Sequence, residues 1–417
     1  MKKLSVIIIG AGSRGKTYAE HMRNTEGKYE IVAVAEPVDD RRNFIKEKNN
    51  ISDEMSFTDW RPLLKKGKIA DIAVIATMDR DHYEPAVEAL KLGYDLLLEK
   101  PIASTREECK NIYELAEKLG RKVIVCTVLR YTNLFKKLKA IIDSGEIGSI
   151  ISITHEECVG AVHQSHSFVR GNWGNEERSS FMLLQKSCHD IDILQWLIGK
   201  KCKKVQSFGA LTYFNEKNAP EGAPEYCVQG CPHGEDCPYN AVKLYYDDKE
   251  NIWFRGTSTK KINPTDEDVL KIITETQYGK CVFKCDNNVV DHQTCNLLFE
   301  DDITVTFSMN AFNKGGRFIH ISGTKGELRA ATDGDSPISL YKFETKETET
   351  IDITSGDGIT SGHGGGDFGI VNDLYDYLTG NYKGNSVPDI RESYLSHAIV
   401  FDIEKSRKTG TVVDVEY

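Results

Sequence analysis

Residues 4–15 read LSVIIIGAGSRG, an apolar run from Leu4 to Ile9 followed at once by Gly10, Gly12 and Gly15. A short, uninterrupted apolar run of this kind reads as a strand buried on both faces. The glycines have the spacing GxGxxG between that strand and a helical stretch reaching about Met22. Gly10 allows a tight turn, Gly12 lets backbone approach a pyrophosphate, and Gly15 permits close helix–strand contact. The helix start then offers NH groups and a positive dipole end to phosphates.

Working outward, a second strand over 30–35 ends in Glu36-Pro37. An acidic group there suits the adenosine ribose hydroxyls and repels a 2′-phosphate, which favours NAD over NADP. Arg41 and Arg42 lie close by and act against that preference. A short helix over 41–48 and a third strand over 70–76 follow. Asp81 reads as the cap of the next helix, with Glu84 three residues on and Gly93 as its stop. Strand 95–98 runs into Glu99-Lys100-Pro101. Ser104 with Glu107 opens a helix ending at Gly120, and strand 122–126 follows. Apolar strands alternating with helices predict a doubly wound parallel sheet over residues 1–127, an α/β dinucleotide-binding domain.

After a helix near 133–144 the pattern changes, and strands with polar alternation dominate. They are predicted at 147–153, 205–214, 280–289, 293–299, 302–310 and 317–321. Helices are predicted near 181–198, 367–379 and 391–407. Residues 128–417 therefore read as one α+β domain with an open, mostly antiparallel sheet. A Pro/Gly/Cys-rich insertion occupies 215–240, and a glycine-rich stretch occupies 354–366.

The 417 residues carry a formal net charge of −10 and eleven cysteines. A negative field disfavours nucleic acid and acidic membranes as partners. No apolar run approaches the roughly 20 residues of a membrane span. Leu4 to Ile9 is too short for the apolar core of a secretion signal. A cytoplasmic chain is expected, with most of its thiols reduced and buried.

Lys100 follows the end of a parallel strand, where open α/β sheets bind ligands. Pro101 fixes the backbone beside it. A fixed ammonium next to a nicotinamide and a solvated lysine after a strand both fit this spacing.

Four segments together resemble the glucose–fructose oxidoreductase, inositol dehydrogenase and rhizopine-catabolism family (Gfo/Idh/MocA). They are VIIIGAGSRG, DIAVIATMDRDHYEPAVEALKLGYDLLLEKPIA, RYTNLFKKLKAIIDSGEIGSI and QKSCHDIDILQWLIG. The resemblance implies NAD(P)-dependent hydride transfer at a carbinol of a sugar, cyclitol or sugar derivative. It implies a homodimer or homotetramer paired through the open sheet. It carries the cofactor set onto Gly10, Gly12, Ser13, Arg14, Gly15, Glu36, Thr77, His82, Glu99 and Lys100. The lysine of its EKP motif is Lys100, and the histidine of its later helix is His189, with Asp192 three positions on. The aspartate that often precedes this histidine is Gln185 here, which cannot take up a proton. Lys186 stands beside that gap, and the spacing of Lys186, His189 and Asp190 puts them on one helix face.

Hydride transfer requires a hydroxyl to lose its proton. His189 is the natural general base. Lys100 stabilises the developing alkoxide, or serves as base if desolvation lowers its pKa. Lys186 is a hydroxyl donor or second base. His163, His166, Arg170 and Trp173 precede the catalytic helix, in a stretch that tends to line the substrate pocket in the family. Arg170 suits a carboxylate and Trp173 a sugar face; a polar exposed loop fits equally. His363, beside the Gly364–Gly366 run, is a further substrate-site candidate, with Asp367 as a helix cap. Cys227, Cys231 and Cys237 suit Zn2+ or a small Fe–S centre, or form a thiol-rich loop with an oxidisable pair. Cys281 and Cys285 read as a core pair on a strand. Two rival functions stay open beside the dehydrogenase. One is glycoside or anhydro-sugar cleavage through oxidation, elimination and re-reduction with retained NAD. The other is a non-catalytic dinucleotide sensor.

Overall fold

The first sheet is built from β1 (Leu4–Ile9), β2 (Tyr29–Ala35), β3 (Ser56–Phe57), β4 (Ile72–Ile75), β5 (Asp95–Leu98) and β6 (Val123–Val125). The computed structural model describes residues 2–332, 336–353 and 365–417. Its first six strands are ordered β3-β2-β1-β4-β5-β6, and each neighbouring pair among them is parallel. Val6 to Ile9 and Ile72 to Ile75 are fully buried, as continuous apolar strands covered by helices on both faces must be. Helices Ser13–Arg23, Tyr83–Lys91 and Arg106–Leu119 connect them.

Two predicted caps move. Thr105, not Ser104, caps the Arg106–Leu119 helix, its hydroxyl accepting from the Glu108 amide at 3.2 Å. Asp81 falls inside a 3-10 turn, and the following helix starts at Tyr83 without a side-chain cap.

The second sheet has nine strands: β7 (Ile150–Cys158), β8 (Cys202–Ala210), β9 (His292–Phe299), β10 (Thr304–Asn310), β11 (Gly316–Gly323), β12 (Gly326–Ala331), β13 (Ile338–Lys342), β14 (Glu347–Ile351) and β15 (Val413–Asp414). Their order is β14-β13-β12-β11-β7-β10-β9-β8-β15. Among the described residues β7 and β10 pair in parallel, and the other neighbouring strands run antiparallel. Helices Cys188–Ile198 and Ile390–Thr409 bury one face, through Ile191, Leu194, Ile399 and Ile403. The other face leaves Phe208 and Phe318 exposed.

Residues 280–289 form turns, not the predicted strand, so Cys281 and Cys285 are not a strand pair. The segment between β8 and β9 is longer than the predicted insertion. It continues through helices Ile252–Thr259 and Asp266–Glu275, which build their own small core around Tyr245, Phe254, Val269 and Ile273. The C-terminal helices return to the first sheet. Ile370, Val371 and Leu374 pack with Leu4 and Ile124, and the Tyr29 hydroxyl donates to the Val371 carbonyl at 2.7 Å. No helix among the described residues is long and apolar enough to cross a membrane.

Candidate active site

The glycine loop behaves as its spacing requires. Gly10 has φ +87°, and a Cβ there would meet Ala76 backbone at 2.5 Å. A Cβ on Gly15 would lie 1.9 Å from the Gly10 carbonyl oxygen. Gly12 is different: among the described residues, the one atom near its missing Cβ is an Arg41 guanidinium nitrogen at 3.6 Å. The loop is therefore packed where helix meets strand and open where a phosphate group approaches. Ser13 begins the helix on that open side. Glu36, buried at the end of β2, accepts the Ala11 amide at 2.7 Å and the Val38 amide at 2.9 Å. It thus ties the glycine loop to the second strand.

Arg14 turns away from the loop. It bonds Glu99 Oε1 at 2.7 Å and both oxygens of Asp367, at 3.1 and 2.6 Å. The Tyr18 hydroxyl adds a 2.6 Å bond to Glu99. Burial pushes the Glu99 carboxyl up, but Arg14 and Lys100 pull harder and hold it below the usual range. Arg14 and Glu99, expected at the cofactor, are thus tied to each other. Asp367, expected as a cap, is the second residue of its helix and a partner of Arg14.

Lys100 is fixed from both sides. His82 is wedged between the Pro101 carbonyl at 2.7 Å and the Thr77 carbonyl at 3.3 Å. The Lys100–Pro101 peptide is cis. Lys100 Nζ donates to the Gln185 carbonyl at 2.6 Å. Residues Leu183–Ser187 form a π-helical turn before the Cys188–Ile198 helix, where a continuous helix was predicted. Lys100 therefore reaches the backbone of the turn that carries Lys186 and leads into the helix of His189. The Gln185 side chain is occupied, donating to the Trp173 carbonyl at 2.7 Å and accepting from the Ser179 hydroxyl at 3.0 Å.

Lys186 opens a chain of charges that the sequence did not reveal. Its Nζ lies 2.9 Å from Glu157 Oε1, and Glu157 lies 2.5 Å from Arg317. Arg317 Nε then reaches Asp190 at 2.7 Å, and Asp190 accepts from His155 at 2.8 Å. Burial raises the Asp190 carboxyl, yet Arg317 and His155 overcome it and hold Asp190 ionised. Asp190, a substrate-site candidate, is fully buried, with His155 and Arg317 as its partners. A cavity of about 430 Å³ lies over the chain, lined by Glu157, His163, Lys186, Asn313, Lys314 and Arg317 among others. Asp192 is also buried, clamped by both donor arms of Arg130 at 2.7 Å.

Two other substrate candidates belong elsewhere. His166 stacks on Phe254 with ring centroids 4.1 Å apart and bonds the Tyr245 and Thr257 hydroxyls at 2.9 Å each. Arg170 donates to the carbonyls of Lys280 at 2.9 Å and Tyr239 at 2.7 Å. Both anchor the insertion. Trp173 packs on the core of the second sheet and ties it to the first domain, its Nε1 donating to Asp79 at 3.3 Å. His363 lies outside the described residues.

Cys227, Cys231, Cys237 and Cys281 line one small pocket with Arg170, whose Nη2 is 3.7 Å from Cys227 Sγ. Among the described residues, no group of three or more His, Cys, Asp or Glu is placed to hold a metal ion. The expected zinc therefore has no ligand set there; a guanidinium already occupies the cationic position beside the thiols.

Known proteins share this architecture. Residues 4–127 match the model of an oxidoreductase family with an NAD-binding Rossmann fold. Residues 139–415 match the C-terminal α/β domain of the same family. YteT of Bacillus subtilis is 26% identical over 321 residues, covering 73% of this chain and 72% of that protein. Inositol 2-dehydrogenase of Salmonella typhimurium is 27% identical over 202 residues, 48% of this chain and 56% of that enzyme. The solved structure of levoglucosan dehydrogenase with NADH and L-sorbose superimposes with a TM-score of 0.74 at 17% identity, covering 100% of both chains. The glycine loop, the EKP lysine and the His189 helix thus stand in a chain that belongs to the Gfo/Idh/MocA oxidoreductase family.

Proposed function

We propose that the protein is an NAD-dependent dehydrogenase that takes hydride from a carbinol of a sugar, cyclitol or sugar derivative. The observation that carries this reading is the 2.6 Å bond from Lys100 to the Gln185 carbonyl, which sets the cation after β5 against the turn bearing Lys186 and His189. The open cradle at Gly12 fits a dinucleotide pyrophosphate. When bound, the nicotinamide accepts the hydride.

The protein's own groups handle the proton and the charge. His189 takes the hydroxyl proton as the carbon is oxidised. Lys100 stabilises the alkoxide character that develops on that oxygen. Lys186, held by Glu157, donates to a neighbouring hydroxyl. A cavity of about 430 Å³ lined by Glu157, His163, Lys186 and Arg317 among apolar residues suits one sugar or cyclitol ring. Replacing His189 by Ala should lower turnover by about 100-fold or more while NADH binding persists. The test is a polyol and glycoside panel followed at the NADH absorbance, with product analysis for silent turnover.

Gln185 supports a second reading, in which retained NAD is reduced and reoxidised during glycoside cleavage. Co-purifying NAD, with cleavage but no net NADH, would select it.

We further propose that the division falls at residue 127, that the chain works in the cytoplasm, and that copies pair through the open face of the second sheet. Two separate sheets, eleven unpaired cysteines and exposed Phe208 and Phe318 support these three points.

A further inference from the structure

The segment between β8 and β9 does more than decorate the second sheet. It reaches back to the first domain next to the dinucleotide loop. The Ile262 amide donates to Asp40 Oδ2 at 2.7 Å. Asp40 lies in the first turn of helix Asp39–Lys48, four residues after Glu36. The next residue, Arg41, is the side chain that stands 3.6 Å from the missing Cβ of Gly12.

The two neighbouring arginines have different uses. Arg42 bonds the Glu36 carbonyl at 2.7 Å and pairs with Asp39. The Arg41 guanidinium makes no hydrogen bond or ion pair among the described residues, although it faces Glu36, Asp40 and Tyr278. Tyr278 is fixed by the insertion's aromatic core, with ring centroids 5.5 Å from His166 and 5.7 Å from Tyr245. A guanidinium with five unused donors thus stands over the phosphate cradle, and the insertion walls its outer side. A phosphate oxygen is the partner that geometry and charge demand there.

We propose that Arg41 and insertion residues 262–278 form the outer wall of the dinucleotide site, and that Arg41 grips the pyrophosphate against Gly12. The insertion thereby retards cofactor release. This rests on the NAD-dependent reading above. Retention is what repeated turnover with one cofactor molecule requires, so the wall also fits a redox-neutral cycle.

The test uses the full-length protein and NADH as the probe, with affinity from fluorescence and release from stopped-flow chasing. Wild type and Arg41→Ala, Arg41→Lys and Asp40→Ala are compared. Arg41→Ala should weaken NADH about tenfold, the scale of one charge-assisted hydrogen bond. Most of the loss should appear as faster release, with partial recovery in Arg41→Lys. Asp40→Ala, which cuts the tie to Ile262 and also removes one carboxylate facing Arg41, should speed release as well. NADH should slow amide hydrogen exchange over 262–278 in the wild type and not in Arg41→Ala; this readout stands even where a variant is less stable. Wild-type release rates in both alanine variants would overturn the wall while leaving the dehydrogenase reading intact. A wild type that binds no NADH would overturn both. Wild-type NADH binding without turnover on any substrate would overturn only the dehydrogenase reading, and the release rates would still decide the wall.

Discussion

Lys186, Glu157, Arg317 and Asp190 form a continuous run of alternating charge beside the cavity of about 430 Å³, and His155 hydrogen-bonds Asp190 at its end. Each buried charge has an opposite partner, which is the condition under which such groups are tolerated. Lys186 and Asp190 were legible as a pair on a helix. Glu157, Arg317 and His155 were not, because they come from β7 and β11, whose pairing depends on register set far away in sequence. The surroundings of His166 were not legible for a related reason. A histidine in a polar stretch looks the same whether it faces a ligand or stacks under an insertion. Its burial has a measurable consequence. Desolvation, then the nearby Arg170, lower the His166 pKa to about 3. His397, also fully buried, is lowered to about 4, first by burial. Both folded values lie below the ordinary histidine value of about 6.5. The stabilisation from keeping them neutral is complete above that value. It is lost as pH falls toward 3 for His166 and toward 4 for His397, by about 1.4 kcal/mol per pH unit for each. Thermal unfolding followed from pH 7 to pH 4 should show a falling midpoint in the wild type and a shallower fall in His166→Phe. Equal slopes would refute this role for His166.

Among the elements, the strand–loop–helix unit from Leu4 to Arg23 was the most legible. Its chemistry is local, and each glycine has one steric reason. Gly15 is the sharpest case, since a Cβ would sit 1.9 Å from the Gly10 carbonyl. Gly15→Ala should push the helix off the strand, abolish NADH binding and lower the unfolding midpoint. Unchanged NADH affinity would remove the packing argument. The turn before His189 was less legible. Its apolar and polar residues fit an ordinary helix, and the π-helical turn is set by tertiary bonds from Lys100 and from Gln185 to Trp173. Residues 280–289 misled for a different reason. Alternating apolar and polar positions suggested a strand, but the segment is held as turns by bonds to the insertion, such as Cys281 amide to Glu225 carbonyl at 2.9 Å.

At the scale of the whole molecule, two sheets were foreseen from the change in strand pattern near residue 128. The return of the C-terminal helices onto the first sheet was not, because an amphipathic helix does not say which apolar surface it covers. The outer face of the second sheet has the opposite status, being exposed and partly apolar. Phe208 is 56% and Phe318 is 41% exposed, on strands that belong to the same nine-stranded sheet. Such a face is expected to be covered by a second copy. Sedimentation of the wild type should give a dimer or tetramer, and Phe208→Asp with Phe318→Asp should shift it toward monomer. A monomeric wild type would contradict the pairing.

On the proposed function, Lys100 and His189 act together on a carbinol beside a bound nicotinamide. The most direct measurement is the sugar, cyclitol and glycoside panel run with NAD+ and followed by NADH formation, on wild type and His189→Ala side by side. NADH should form with at least one polyhydroxylated substrate, and its formation should fall by about 100-fold or more in His189→Ala with NADH binding kept. Wild-type rates in His189→Ala, or no NADH from any substrate in a wild type that binds NADH, would contradict it.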